Sequence, residues 1–383
     1  MKFIHLGDLH IGKHVNDFSM IEDQKYMLDQ VIDLIDEREI DAILLAGDIY
    51  DRAVPSEEAV KVFDSFLTTM AYKNKYVFVV SGNHDSDERL NYGSRLFESN
   101  NIYIAGKYEG EIKCVDVKDD YGTLHVWLMP YVKASRVAHY FPEKKIDTYD
   151  DAFKTALDNC DVNTEERYII VTHQFVTSAS SAAEPELSGS ETIMLNVGTL
   201  DRVSSECFED FDYVAMGHIH GSQAVGRETC RYSGSLLKYS LNAREINSEK
   251  TIPVVTFEEK GNVTVELVSL KPRREIRHIK GNLKELIECC VDSDDYIYAT
   301  LTDEITQFDA LARMQEVYPN IMKLDYDNAE TRALLEEDAD YNTEGKSFDE
   351  LIRDFFSIYH GKELNEKEWE LLMEVAGEAG VIE

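Results

Sequence analysis

The sequence has no apolar run near the ~18 residues that a membrane-spanning helix needs. Its longest runs, such as Ala42–Ala46 and Tyr76–Val80, are short. His5, Asp8 and His10 interrupt the stretch where a secretory leader would carry its apolar core. Glycine and proline are scarce, 20 and 7 of 383 residues, which excludes collagen-like and low-complexity classes. The six cysteines, at 114, 160, 207, 230, 289 and 290, form no C-x-x-C pattern, and adjacent Cys289 and Cys290 are poorly placed to bridge each other. Neither a disulfide framework nor a zinc knuckle is expected, and a reducing compartment fits best. A G-x-x-x-x-G-K-[ST] loop is also missing, so no nucleotide is expected on this chain. What remains is a globular, cytoplasmic chain with no membrane partner, of two or three domains at about 100–200 residues each.

Positive charge is in short supply too: 39 Lys+Arg against 74 Asp+Glu, a net charge of −35. Taken whole, that argues against nonspecific binding to nucleic acid, whose phosphates need a basic surface. The distribution is uneven, however. Asp325–Glu383 holds 18 acidic and 5 basic residues, whereas Lys271–Lys280 carries Lys271, Arg273, Arg274, Arg277 and Lys280 against the single Glu275. The charge has to be read segment by segment.

What is present is an alternation of strand and helix. Lys2–Leu6, Ala42–Ala46, Tyr76–Val80, Ile102–Ile104, Leu124–Met129, Tyr168–Val171 and Tyr213–Met216 read as strands, several as continuous apolar runs buried on both faces. Met27, Leu28, Val31, Leu34 and Ile35 recur at helical spacing, as do Ala59, Val60, Phe63, Phe66, Leu67 and Met70. Ser56 before Glu57-Glu58 is a helix start. The pattern predicts an α/β layered domain. Ser178–Ser190 reads as a long surface loop, and Val254–Phe257 with Val263–Val268 as a β-hairpin through Lys260-Gly261-Asn262. Lys271-Pro272-Arg273 marks a boundary. Beyond it lie a helix (Leu283–Cys290), a strand (Tyr296–Leu301), a helix (Gln307–Val317) and a strand (Ile321–Tyr326), then a polar linker from Asn342 and two amphipathic helices, Phe348–Tyr359 and Glu366–Ala376.

Five strand ends carry Asp, Asn or His: Asp8-Leu9-His10, Gly47-Asp48-Ile49-Tyr50-Asp51, Gly82-Asn83-His84-Asp85, Thr172-His173 and Gly217-His218-Ile219-His220. Ligands bind beyond the carboxyl ends of strands in open α/β sheets. Any one of these motifs alone would be an ordinary polar turn; five in order, each after a strand, are not. Carboxylate oxygen, amide oxygen and neutral imidazole together favour manganese, iron or zinc over calcium. The seven ligands Asp8, His10, Asp48, Asn83, His173, His218 and His220 exceed what one ion needs and suit two, about 4 Å apart, with a hydroxide between them and a phosphate clamped for in-line attack. His84, beside that site, is the candidate to protonate the leaving oxygen or to stabilise charge.

This series resembles the calcineurin-like metallophosphoesterase superfamily. Within it, Lys2–Gly12, Ala46–Asp51 with Pro55-Ser56, Arg231–Ser240 and Leu270–Gly281 resemble the nuclease subunits of bacterial SbcCD complexes. The resemblance implies a four-layer α-β-β-α phosphoesterase sandwich over residues 1–270, a small α+β DNA-capping domain over 271–341, and a linker with a helix pair over 342–383 that docks on an SbcC-like ATPase. It implies two manganese ions per chain, with magnesium possible. Asp8, His10 and His220 would hold one, Asn83, His173 and His218 the other, and Asp48 would bridge. His84 would be catalytic, with Asp85 orienting it. The implied activity is 3′→5′ exonuclease action on duplex DNA ends and endonuclease action on hairpins and single strands, in DNA repair, recombination and replication, by a homodimer within a heterotetramer. Asp51 stands where some relatives carry His, which leaves it the task of orienting a neighbour rather than donating a proton. Gly47-Asp48-Ile49-Tyr50-Asp51-Arg52 also resembles the motif of phosphomonoesterases and protein phosphatases. Those usually continue with Gly where Ala53 stands here. A scaffold subunit with a structural metal site is the non-enzymatic alternative.

Overall fold

The computed structural model describes residues 1–160, 162–178, 185–189, 191, 202–289, 293–329 and 331, the short strands Leu195–Asn196 and Thr199–Leu200, and scattered positions from 352 to 373. It divides into two compact units: Met1–Thr300 with Asp309–Asp325, and Leu301–Phe308 with Tyr326–Glu383.

The first unit begins with β1 (Lys2–Leu6), α1 (Ile21–Glu37), β2 (Ala42–Ala46), α2 (Glu57–Tyr72), β3 (Tyr76–Val80), the short helices α3 (Asp87–Leu90) and α4 (Ser94–Phe97), and β4 (Ile102–Ala105). It continues through β5 (Lys113–Asp119), β6 (Gly122–Met129), α5 (Ala134–Tyr140), α6 (Tyr149–Asp158), β7 (Arg167–His173), β8 (Tyr213–Gly217), β9 (Gln223–Val225), β10 (Arg227–Tyr232) and α7 (Ala243–Ile246). The hairpin β11 (Thr251–Phe257) and β12 (Val263–Ser269) follows. β13 (Ile276–Gly281), α8 (Leu283–Glu288), β14 (Tyr296–Leu301), α9 (Ala310–Gln315) and β15 (Ile321–Tyr326) complete the series.

Two six-stranded mixed sheets result, ordered β12-β11-β1-β2-β3-β4 and β9-β10-β8-β7-β6-β5; β13-β14-β15 form a third, small one. β1 to β4 run parallel, as do β6, β7, β8 and β10. The layering follows from the two-residue period of a strand. Phe3, Ala42, Leu44 and Phe78 share an apolar cluster with Leu124, Val126, Ile169, Val171 and Ala215, so the two sheets pack face to face. The alternate residues Ile4, Ile43, Leu45 and Val77 pack with Val31 and Ile35 of α1 and Phe63 and Phe66 of α2. On the far side Ile170, Val214 and Met216 pack with Val137 of α5 and Phe153 of α6. The expected four-layer α-β-β-α sandwich is therefore present.

Most expected elements coincide with observed ones to within a residue or two. Ser56 caps α2, its Oγ accepting from the Ala59 N–H at 3.2 Å. Val60, expected on the apolar stripe, is exposed, and Val62 is buried instead. β5, β9, β10 and β13, and the helices α5, α6 and α7, fall outside the expected set. The expected Ser178–Ser190 loop is flanked by a short parallel strand pair, Phe175–Thr177 before it and Arg202–Ser204 after it; of the loop itself, residues 179–184 and 190 lie outside the described residues. Most of the expected helices Phe348–Tyr359 and Glu366–Ala376 also lies outside them, with helical backbone described at 352–353, 356–357, 367–369 and 371–373. Within the second unit, the Asp327 N–H donates to the Leu301 carbonyl at 2.8 Å, and the Arg353 guanidinium lies 3.9 Å over the Trp369 ring.

Candidate metal centre

The carboxyl ends of β1, β2 and β3 in one sheet meet those of β7 and β8 in the other. The loops after β1 and β2 run side by side: the Asp8 N–H donates to the Gly47 carbonyl (3.1 Å) and the His10 N–H to the Asp48 carbonyl (2.9 Å). His173 crosses the seam, its Nδ1–H donating to the Ala46 carbonyl at 2.8 Å. Two motif glycines are explained by close approach. A Cβ on Gly82 would strike the Asp48 carboxylate, and one on Gly217 would strike the Ala46 carbonyl. Asp8, His10, Asp48 and His218 all adopt positive φ, at 51°, 44°, 49° and 103°. Non-glycine residues are held there only where the surroundings enforce it, and such residues cluster at functional sites.

All seven expected ligands converge. His10 Nε2 lies 3.1 Å from His220 Nε2, with Asp8 Oδ1 4.0 Å from the latter. Asn83 Oδ1 lies 2.9 Å from His173 Nε2 and 3.0 Å from His218 Nδ1. Asp48 Oδ2 sits between these groups, 3.6 Å from His10 Nε2 and 3.5 Å from His173 Nε2. Its Oδ1 accepts from the His84 N–H at 2.9 Å.

The electrostatics of the donor set suit cations. Burial, then His220, holds His10 well below the usual imidazole range; burial, then Lys250, does the same for His220. Burial pushes His173 and His218 down to about 3. Burial and the neighbouring Asp48 charge push Asp8 well up, and burial raises Asp48 to about 6 against the pull of His84. Neutral imidazoles and two crowded carboxylates thus face one another with their lone pairs. Because its Nδ1–H is committed to Ala46, His173 presents an unprotonated Nε2 to the Asn83 oxygen, two acceptors at 2.9 Å. Divalent cations would satisfy all of them, and mixed nitrogen and oxygen ligation fits first-row transition ions.

His84 is half-buried beside the cluster, its ring 4.7 Å from that of His10, edge to face. Its Nδ1–H donates to the Asp51 carbonyl at 2.9 Å. Asp85, expected to orient His84, does something else: its carboxylate accepts from the N–H groups of Ile49 (3.1 Å), Tyr50 (3.0 Å) and Gly82 (2.9 Å), tying the β2 and β3 loops together. Burial, then the Asp48 charge, pushes Asp85 up to about 7 against those three donors.

Several contributors escaped sequence reading. Lys13 Nζ donates to Asp51 Oδ1 at 2.7 Å, and the same oxygen lies 3.6 Å from His10 Nδ1. Lys250 Nζ reaches the His220 carbonyl (3.0 Å), Ser235 Oγ (3.0 Å) and the buried Glu245 carboxylate (2.9 Å), bracing the loop after β8 from behind. The Gln24 side chain donates to the Leu9 and His10 carbonyls, and Tyr239 O–H donates to the Leu9 carbonyl at 2.6 Å. Only their spacing from the motifs could have marked them, and that spacing is irregular. Ser233 and Ser235, within the Arg231–Ser240 segment, are buried. In the basic run, Arg274 pairs with Asp23 (2.9 Å) and Arg277 with Asp295 (2.8 Å); Lys271, Arg273 and Lys280 are exposed.

The calcineurin-like phosphoesterase family matches residues 1–222, and the family described as type 5 capsule protein repressor C-terminal domain matches residues 272–358. A Staphylococcus epidermidis protein, named as the SbcD nuclease of SbcCD, is 32% identical over 330 residues, covering 85% of this chain and 85% of that one. Among solved structures, GAP50, titled the anchor in the inner membrane complex of Plasmodium, is 14% identical with a TM-score of 0.34, covering 86% of this chain and 98% of its own. A dimetal phosphatase from Danio rerio is 10% identical with a TM-score of 0.39, covering 70% and 96%.

Proposed function

The chain belongs to the calcineurin-like phosphoesterase family, alongside the SbcD nucleases, and on that basis we propose that it is a metal-dependent DNA nuclease subunit. The observation that carries the reading is Asp48, whose Oδ2 stands 3.6 and 3.5 Å from one imidazole of each ligand group. Asp8, His10 and His220 would hold one divalent ion and Asn83, His173 and His218 the other, with manganese favoured and magnesium possible. Such a pair supplies positive charge against a phosphodiester and acidifies a water for attack on phosphorus.

The chain's own residues do the rest. The Asp51 carbonyl fixes His84 through Nδ1, which leaves Nε2 to hold a proton for the leaving oxygen or to donate to the phosphate. Asp85 acts as a positioning residue, holding the His84 loop against the Asp48 loop through three backbone N–H groups. The long apolar α1 and α2 stripes and both sheets keep this end of the sandwich rigid, so the groups are positioned before substrate arrives.

The substrates of this reading are duplex ends, degraded 3′→5′, and hairpins and single strands, cut internally, in DNA repair, recombination and replication in the cytoplasm. Residues 1–270 serve as the nuclease domain, 271–341 as the DNA cap and 342–383 as the dock for an SbcC-like ATPase; the match at 272–358 supports a distinct C-terminal module. Exposed Tyr92 and Leu96, just beyond the Gly82–Asp85 loop, support a homodimer through α3 and α4 within a heterotetramer. Among the described residues no helix is long and apolar enough to cross a membrane.

A nuclease assay on the purified chain tests this. Labelled duplex, hairpin and single-stranded DNA are offered with manganese or magnesium, alongside a generic phosphomonoester. Manganese-dependent cleavage is expected, and His84→Ala is expected to abolish it while retaining both metals. Phosphomonoester turnover without DNA cleavage would move the chain to the phosphatase branch, and loss of metal in His84→Ala would overturn the role given to that ring.

A further inference from the structure

A second set of metal-ligating side chains lies on β5 and β6, at the edge of the β9-β10-β8-β7-β6-β5 sheet. Cys114 and Asp116 alternate with buried Val115 and Val117 along β5, so both project from its exposed face. The register pairs Asp116 with His125 of β6, and His125 with Tyr168 of β7. His125 Nδ1 lies 2.7 Å from Asp116 Oδ1, and Cys114 Sγ lies 3.8 Å from the same oxygen. The three ligand atoms are all within 4.8 Å of one another. The far nitrogen of the ring, Nε2, is 3.1 Å from Glu166 Oε2. The ring itself is stacked on Tyr168, with centroids 4.7 Å apart and planes at 22°, while Tyr168 O–H donates to the same Glu166 oxygen at 3.2 Å.

We propose that Cys114, Asp116 and His125 form a metal site separate from the seven-ligand centre, suited to zinc. The donor chemistry makes the choice. Thiolate, imidazole and one carboxylate are a zinc set, commonly completed by a water in the fourth tetrahedral position; the seven residues of the centre between the sheets include no sulfur donor. The Glu166–His125 contact is the carboxylate–imidazole arrangement that turns a ligand ring and fixes its tautomer. With Nε2–H donating to Glu166, Nδ1 keeps its lone pair and points it at Asp116 and Cys114. Binding would release the Cys114 thiol proton to solvent and form the metal–sulfur bond. β5 is the edge strand of its sheet. A metal clasped between β5 and β6 would therefore pin that edge to its neighbour.

The competing reading is a hydrogen-bonded cluster without a metal, His125 standing between Asp116 and Glu166. Cobalt(II) separates the two, because only a thiolate ligand gives an intense sulfur-to-cobalt charge-transfer band. The full chain is stripped with chelator, given excess manganese to occupy the seven-ligand centre, and titrated with cobalt and then zinc. One equivalent of thiolate-bound cobalt is expected, displaced by zinc. Cys114→Ser should abolish the band, Cys289→Ser should keep it, and Glu166→Ala should weaken cobalt binding by roughly 10-fold or more. DNA cleavage should be unchanged in Cys114→Ser. No band in the wild-type chain, or a band that survives in Cys114→Ser, would overturn the site and leave a hydrogen-bonded cluster in its place. The exposure of Cys114 makes loss of folding in that variant a small concern. A circular dichroism spectrum matching wild type confirms that the band reports ligation.

Discussion

At the scale of single residues, Asp119 couples three segments. Its carboxylate accepts from the Arg167 guanidinium at 3.1 and 2.5 Å and from the Met1 amino group at 2.9 Å. Burial alone would raise this carboxyl, but Arg167 and the amino group override it and hold it down to about 2. A carboxyl depressed on folding stabilises the protein above its unfolded value, near 4, and that contribution is lost as pH falls toward its folded value. Asp119→Asn should therefore cost about 1–2 kcal/mol at neutral pH, after allowance for solvent screening. The gap to wild type should close as pH falls from about 4 toward 2. Urea unfolding of both proteins across that range checks the sign; a gap independent of pH would assign the loss to packing instead. The same scale shows what sequence can carry. The seven expected ligands and His84 sit in short motifs directly after strands, where residue type and position speak together. Lys13 reaches the same centre through the Asp51 carboxylate, and Gln24, Glu245 and Lys250 reach it from scattered segments through backbone carbonyls and one another, and no local pattern marks them. Asp85 was legible as a site residue but not in its task, because which backbone N–H groups a carboxylate finds is a property of the folded loops.

At the scale of elements, α1, α2 and the strands β1, β2, β3, β7 and β8 were legible because their apolar residues follow one period throughout, whereas α5, α6 and α7 were not anticipated. β5 was not: Lys113-Cys114-Val115-Asp116-Val117-Lys118-Asp119 has only Val115 and Val117 on its buried face, a signal too short to stand apart from a polar loop. β10 is similar, since its buried half, Cys230-Arg231-Tyr232, contains an arginine that is itself almost fully buried. The start of α2 was legible for the opposite reason. Ser56 satisfies an otherwise open N–H there, with Glu57 and Glu58 in the first turn. Ser56→Ala should lower stability by about 1 kcal/mol, visible as a lower urea midpoint with unchanged slope; an unmoved midpoint would mean that burial of Phe63, Phe66 and Met70 alone fixes where the helix begins.

At the scale of the whole molecule, the net charge of −35 is a problem for a DNA-binding chain acting alone. A basic partner surface would resolve it, and the acidic C-terminal segment is suited to recruit one. Truncation after Tyr341 should leave metal-dependent cleavage in place and abolish co-purification with the SbcC-like ATPase. A truncated chain that still brings the ATPase down would defeat the assignment of residues 342–383 as the dock.

The seam between the two sheets has a further consequence, for the newborn chain. Asp8 is among the first residues made, but its partner His220 comes late, and β1 is flanked in its sheet by β11, later still. A ribosome must have released most of the sandwich before the centre can close. Throughout that interval the emerging polypeptide would be harmless to any DNA nearby, and its first competence to cut would coincide with the two sheets coming together.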